Sequence, residues 1–106
     1  MRRKRFGTLI LCFLFFQAIS LRGVPVLPDK ENFHLFLLVG QSNMAGRGKV
    51  GPADKKPHPR VLMLNKAGEW APATDPLHFD KPGMVGVGLG KTFGTIVAEK
   101  SPEITV

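Results

Sequence analysis

The chain has 106 residues, a formal net charge of +7 and one cysteine, Cys12. Four of its basic residues stand at the very start, and after residue 20 eleven Lys and Arg face eight Asp and Glu. A charge of about +3 on that part gives no dense basic surface, which argues against nucleic-acid binding. Since Cys12 lies in the first 20 residues, the rest has no disulfide and depends on an apolar core.

The first 20 residues have the pattern of a secretory signal peptide. A basic start, "MRRKR", precedes the apolar stretch "FGTLILCFLFFQAIS", and Ala18 and Ser20 stand at −3 and −1 of a cut before Leu21. A retained anchor is the alternative, but residues 6–19 are shorter than the roughly 20 apolar residues of a spanning helix. The pattern predicts cleavage before Leu21, a secreted or periplasmic protein, and membrane contact only transiently, through the signal peptide.

Residues 21–32 are predicted to form an exposed leader, because Pro25, Pro28 and the charged "DKEN" disfavour regular structure. The next stretch, "FHLFLLV" at 33–39, is continuously apolar and has the length of a strand. Continuous rather than alternating hydrophobicity is typical of a strand covered on both faces, as in a parallel sheet.

A long polar loop, residues 40–59, separates this run from a second predicted strand, "RVLMLN" at 60–65. The turn-forming "NKAG" and the aromatic Trp70 then predict a hairpin. Further on, "VGVGLGKTFGTIVAEK" predicts a helix that starts between residues 86 and 90 and ends at Lys100.

Phe93, Ile96 and Val97 recur at helical spacing, so they are expected to form the face that packs on the sheet. The last residues, "ITV" at 104–106, favour the start of another strand. This order of elements predicts an open α/β sandwich. The 86 residues that follow residue 20 are few for such a domain, which usually has about 100–150, so we expect residues 33–106 to be the truncated N-terminal portion of a longer domain.

A serine, Ser42, follows the first apolar run by three residues. Ligands of open parallel sheets bind beyond the carboxyl ends of the strands, and Gly40 permits a sharp turn there. The N–H groups of Ser42 and Asn43 could then face one point, as in half an oxyanion hole. The alternative is structural, with Ser42 as a helix N-cap and Asn43 as a turn residue; "GQSN" alone favours that alternative.

The longer string "LFLLVGQSNMAGRG" closely resembles the first block of the SGNH hydrolases, in the branch with sialate O-acetylesterases and acetyl xylan esterases. The resemblance continues through "HPRVLMLNKAGEWAPATDPLHFD" and "VGVGLGKTFG" and covers residues 33–106. It implies a flavodoxin-like three-layer α/β sandwich with a parallel sheet, of which these residues are an incomplete N-terminal part.

By this resemblance, Ser42 matches the nucleophile of a serine esterase, and Gly40, Gln41, Asn43 and Gly46 shape its loop and oxyanion hole. The chemistry implied is formation of an acyl-enzyme and release of acetate by water. The implied substrate is an O-acetylated carbohydrate such as acetyl xylan or O-acetylated sialic acid. No metal and no organic cofactor are implied.

By the resemblance, the Asp-x-x-His motif that supplies the base lies near the C-terminus of the family's domain, and we expect these 106 residues to lack that region. Of the histidines present, His34 stands at the far end of the first run, and His58 lies between two prolines. His78, in "DPLHFD", is the candidate to lie near a substrate. We therefore expect an esterase fragment that is inactive alone; the alternative is a non-catalytic exported remnant or a glycan-binding fragment.

The glycine-rich "GVGLGKT" invites comparison with a phosphate-binding P-loop. That motif needs a further glycine five residues before Gly90, where this chain has Val85, so the P-loop is rejected. We interpret the segment as a helix N-terminus beside the serine loop. Gly86 and Gly88 are then candidates to lie near the substrate, where backbone N–H groups favour an anionic intermediate.

Overall fold

A computed structural model describes residues 25–106 of the chain. The predicted signal peptide, its cleavage point and the first four residues of the leader lie outside the described residues. The described part forms a 3-10 helix, helix α1, a second 3-10 helix, strands β1 and β2, and helix α2; their bounds are Lys30–Asn32, Ser42–Ala45, Ala53–Lys55, Leu62–Leu64, Trp70–Pro72 and Gly90–Lys100. The prediction of a mixed α/β chain is confirmed, whereas the parallel sandwich stays a prediction.

The predicted hairpin is confirmed by antiparallel pairing of β1 and β2. Its turn is built by Asn65, whose side-chain oxygen accepts hydrogen bonds from the backbone of Ala67 at 2.9 Å and Glu69 at 3.0 Å. Gly68 completes the turn with a φ of +78°, a conformation that glycine adopts without strain. The hairpin therefore follows from local turn chemistry.

Residues near the end of the sequence pair in parallel with the start of the first apolar run. Thr105 donates its N–H to the carbonyl of Asn32 at 2.8 Å and accepts from the N–H of His34 at 2.9 Å. These two bonds form a parallel bridge between Phe33 and Thr105.

The next residue, Val106, pairs on its other side. It donates to the carbonyl of Arg60 at 2.9 Å and accepts from the N–H of Leu62 at 2.6 Å. Alternation of bonds between the two sides is the pattern of a strand with a neighbour on each edge. Residues 105–106 thus lie between the first apolar run and the chain that leads into β1.

The structure contradicts the predicted strand at 33–39 beyond its first residue. Residues 34–39 are in no strand, and Leu35, Leu37 and Val39 are 66%, 88% and 70% exposed. A strand covered on both faces needs a paired neighbour and a layer on each side. Within residues 25–106, the run is paired only at Phe33, by its bridge to Thr105.

The buried core is small and centres on Val61, Ala73 and Ala98. Helix α2 runs to Lys100 as predicted, but the face that it buries consists of Gly90, Gly94 and Ala98. The predicted packing face is wrong, because Phe93 and Ile96 are 39% and 47% exposed.

The short distance between α2 and the sheet explains why this face of the helix is the buried one. A Cβ atom at Gly94 would lie 2.9 Å from Cγ1 of Val61, so the helix packs nearer to the sheet than a larger residue permits. Among residues 25–106, no helix is long and apolar enough to cross a membrane.

Candidate functional site

Ser42 is the first residue of a single helical turn that ends at a glycine. The N–H of Ala45 donates to the carbonyl of Gln41, and the N–H of Gly46 donates to that of Ser42, both at 2.9 Å. Gly46 ends the turn with a φ of +85°, which favours glycine. We call residues 40–46 the Ser42 turn.

The structure does not place Ser42 at the N-cap position that the structural alternative gave it. The N-cap position of α1 is Gln41, with no side-chain capping bond, and Ser42 stands inside the helix rather than before it. Its side chain is exposed, as are those of Gln41 and Asn43. Crowding fixes the entry to the turn, because a Cβ atom at Gly40 would come within 2.9 Å of the Cβ of Met44.

Ser42 opens into a cavity of about 380 Å³. Of the residues singled out in the sequence, four line this cavity: Gly40, Gln41, Ser42 and His78. Asn43, Gly46, Gly86 and Gly88 are not among its lining residues. The structure therefore brings the proposed nucleophile and one histidine to the same space.

His78 has a ring nitrogen suited to a ligand. Its Nε2 atom is buried, and within residues 25–106 it has no hydrogen-bond partner. An unpaired buried polar group costs about 1–3 kcal/mol, so such an atom calls for an explanation. His78 also lines a neighbouring apolar groove of about 590 Å³, together with Trp70 and Phe79.

Charged side chains surround the serine on the polar side of the cavity. Arg47, Asp80 and Lys81 all line it, which gives two cations against one carboxylate. The guanidinium of Arg47 donates to the carbonyl of Gly46 at 2.9 Å, so it is tied to the Ser42 turn. Sequence reasoning missed these residues, although Asp80 and Lys81 directly follow the "DPLHF" that carries His78.

The glycine-rich segment supports the Ser42 turn from behind. A Cβ atom at Gly46 would lie 2.5 Å from the carbonyl oxygen of Gly86 and 2.6 Å from the nitrogen of Gly88. The N–H of Gly86 donates to the carbonyl of Gly46 at 3.1 Å, and Gly48 and Val87 form an antiparallel bridge. The amide of Gly86 is thus already used, and the closeness of either glycine to a substrate stays a prediction.

The other two histidines, His34 and His58, lie outside the Ser42 cavity. The backbone of His34 takes part in the parallel contact with Thr105, and Nδ1 of His58 accepts a hydrogen bond from the backbone of Arg60 at 3.1 Å. Within residues 25–106, no group of three or more His, Cys, Asp and Glu residues is arranged to hold a metal ion.

A buried carboxyl group, Asp75, stands three residues before His78. Burial raises the pKa of Asp75 above its ordinary value, and the nearby carboxylate of Asp54 adds to the rise. The ammonium group of Lys91, a hydrogen bond from the backbone amide of Gly88 and the ammonium group of Lys55 act in the opposite direction.

These features describe a mixed α/β protein with a serine-centred cavity, and comparison with known proteins places it in a family. The profile of a family described as carbohydrate esterase, sialic acid-specific acetylesterase, matches residues 32–106. A probable carbohydrate esterase of Arabidopsis thaliana is 35% identical over 92 residues, which cover 72% of this chain and 34% of the relative.

The chain therefore belongs to this carbohydrate esterase family. It spans about a third of the length of the Arabidopsis relative. No solved structure matches the chain.

Proposed function

We propose that Ser42 is the nucleophile of a secreted, SGNH-type carbohydrate O-acetylesterase and that this chain supplies the nucleophile half of its active site. The observation that carries the proposal is the exposed Ser42 at the start of a glycine-bounded turn, open to a cavity that also holds His78. Family membership supports the class of reaction.

In this reaction, Oγ of Ser42 attacks the carbonyl carbon of an acetyl ester while a base takes its proton. The tetrahedral intermediate collapses, the sugar hydroxyl leaves with a proton, and an acetyl-serine remains. Water then attacks the acetyl-serine, releases acetate and restores the hydroxyl. The first N–H groups of a helical turn have no partner within the turn, so those at the start of the Ser42 turn suit the developing oxyanion, because backbone donors stabilise it most where they are already oriented.

We propose that this chain does not supply the base: its one Asp-x-x-His spacing, Asp75–His78, lies in the loop after the hairpin, whereas the family's motif lies near the C-terminus of the domain. Serine is a weak nucleophile without a positioned base, so we propose that the chain alone is inactive. His78 contributes binding in this proposal: its Nε2 forms a hydrogen bond to the acetylated sugar beside Ser42. The proposed substrates are O-acetylated carbohydrates, such as acetyl xylan or O-acetylated sialic acid.

A chimera with the Arabidopsis relative tests the proposal. Residues 33–106 replace the matching segment of that protein, whose remaining two-thirds then provide the rest of the domain. We expect the chimera to hydrolyse an aryl acetate and Ser42→Ala to lower kcat by ~10³-fold or more. Ser101→Ala, the same change outside the cavity, is the matched control and should leave the rate unchanged.

Equal rates for the parent chimera and its Ser42→Ala variant would contradict the assignment of the nucleophile. Ser42-dependent turnover by the 106-residue chain alone would contradict the proposed inactivity. Saturable binding of an acetylated sugar, without turnover by the chimera, would instead support the alternative of a non-catalytic, glycan-binding protein.

A further inference from the structure

We propose that Lys91 is a positioning residue, which from the first turn of α2 holds the segment that carries His78 into the Ser42 cavity. We call residues 75–78 the His78 segment. The contribution of His78 to substrate binding rests on the proposed function; the attachment of its segment to α2 does not. Lys91 belongs to the "GKT" for which a P-loop was rejected, and its ammonium group donates to a backbone carbonyl.

The carbonyl oxygen of Asp54 accepts two hydrogen bonds from distant parts of the chain. One comes from Nζ of Lys91 at 2.7 Å and the other from the N–H of Asp75 at 3.0 Å. A charged donor makes a stronger hydrogen bond than a neutral one, and Lys91 is partly shielded from water. Lys91 therefore ties α2 to the oxygen that also holds the main chain of Asp75.

The carbonyl of Asp75 is held as well, by a second lysine. Nζ of Lys55 donates to it at 2.7 Å, and Asp75 is buried, with 4% of its surface exposed. Both main-chain polar groups of this residue are thus paired, and a buried backbone group left unpaired would cost stability. The start of the His78 segment is therefore attached directly to Lys55, and through Asp54 to Lys91.

The His78 segment is held again two residues later, by packing on the same helix. Leu77 packs against the buried core, and a Cβ atom at Gly90 would lie 2.8 Å from Cδ1 of Leu77. Gly90 is the first residue of α2 and stands next to Lys91, so one end of this helix provides both contacts. His78 follows Leu77 directly, and its place in the Ser42 cavity is therefore set by the start of α2.

The first test measures amide hydrogen exchange by NMR in the full chain. Lys91→Met keeps an unbranched side chain and removes the donor. We expect it to speed exchange at the amide of Asp75 by ~10-fold or more, because the carbonyl that this amide binds is no longer held by α2. Lys100→Met is the matched control on the same helix: its side chain is exposed, and exchange at Asp75 should stay within about twofold of the parent.

The second test measures how fast diethyl pyrocarbonate modifies each histidine of the full chain, with the modified peptides separated by mass spectrometry. Nε2 of His78 is buried, so we expect slow modification in the parent. Lys91→Met should speed the reaction at His78 by ~5-fold or more and leave His34 within about twofold, because only the His78 segment is released. A lysine with a general structural role would not single out one histidine.

The second lysine provides an independent variant for the same measurement. Lys55→Met should also speed modification of His78 by ~5-fold or more, since the carbonyl of Asp75 loses its donor. Lys56→Met is its matched control, because Lys56 is the exposed neighbour in sequence. Ser42→Ala should leave the reactivity of His78 unchanged, so failure of the esterase proposal does not affect this result.

Three results would overturn the inference. One is unchanged exchange at Asp75 in Lys91→Met, another is unchanged reactivity of His78 in that variant, and the third is an equal rise at His78 and His34 in a chain that remains folded. If Lys91→Met unfolds the chain, seen as faster exchange also at the amide of Ser101 at the end of α2, Lys55→Met decides by the same criteria.

Discussion

Gly46 is a residue at which two loops of the chain approach each other closely. It combines a φ of +85° with the absence of space for a side chain, since its missing Cβ would overlap the backbone of Gly86 and Gly88. The first property makes glycine preferable, and the second makes it necessary. The position of Ser42 therefore depends on the absence of a side chain at Gly46.

We expect Gly46→Ala to lower the free energy of unfolding by about 2–4 kcal/mol, the sum of a positive-φ cost and an overpacking cost. Gly68→Ala is the matched control, because Gly68 has a φ of +78° but nothing within 4 Å of its absent Cβ. That variant should lose only about 1–2 kcal/mol. Urea denaturation measures both, and equal losses would show that the packing against Gly86 and Gly88 contributes nothing.

Helix α2 is joined to the hairpin through the side chain of one residue, Arg60. Its guanidinium donates to the carbonyl of Ser101 at 3.0 Å and also to those of Ala98 and Ile104. A cation at a helix C-terminus satisfies carbonyls that have no partner within the helix. Arg60 thus binds the end of α2 to the segment that enters β1.

Replacing Arg60 by methionine keeps the aliphatic stem and removes the donors. We expect a loss of about 2–4 kcal/mol in the free energy of unfolding, because three carbonyls lose charged partners, with fraying at the end of α2. Lys100→Met, in the same last turn but exposed, should cost no more than about 0.5 kcal/mol. Thermal unfolding compares the two; a Lys100→Met effect as large as that of Arg60→Met would contradict the role of Arg60.

Elements fixed by local chemistry could be predicted from the sequence, and those that depend on distant partners could not. The hairpin follows from the turn at Asn65–Gly68, and the end of α2 follows from the change of composition after Lys100. Within the described residues, the apolar run at 33–39 is paired only at Phe33, with the distant Thr105, and no local pattern reveals such a partner. The buried face of α2 was not predicted because it consists of small residues. They are buried because their small size lets the helix pack closely against Val61.

The same distinction between local features and contacts with distant residues applies to the candidate site. Ser42 could be predicted because it stands in a recognisable short motif. His78 could be predicted because its imidazole side chain can bind a substrate or transfer a proton. Arg47 and Lys81 could not, because one sequence does not show that residues so far apart along the chain line the same cavity.

At the largest scale, the described residues 25–106 have a small core and a large apolar surface. Three hydrophobic residues are buried, while many large ones are exposed in the described part of the chain; among the latter are Leu35, Leu37, Val39, Leu64, Phe79, Met84, Phe93 and Ile96. Several of these line one groove between the first apolar run and β1. Contiguous apolar surfaces of this kind promote association.

We expect the full chain to self-associate at micromolar concentration, and Leu37→Lys to weaken that association about tenfold by placing a charge in the groove. Val26→Lys is the matched control, because Val26 is 96% exposed but lies outside the groove. Analytical ultracentrifugation measures both. If the two variants weaken association equally, net charge rather than this groove controls it.

The contacts of Thr105 and Val106 have a consequence for folding. Val106 is bonded to Arg60 and Leu62 and its neighbour to Asn32 and His34, so the ladder joins segments that lie far apart along the chain. Closing such long loops costs chain entropy before the pairing contributes any stability, which makes contacts of this kind slow to form.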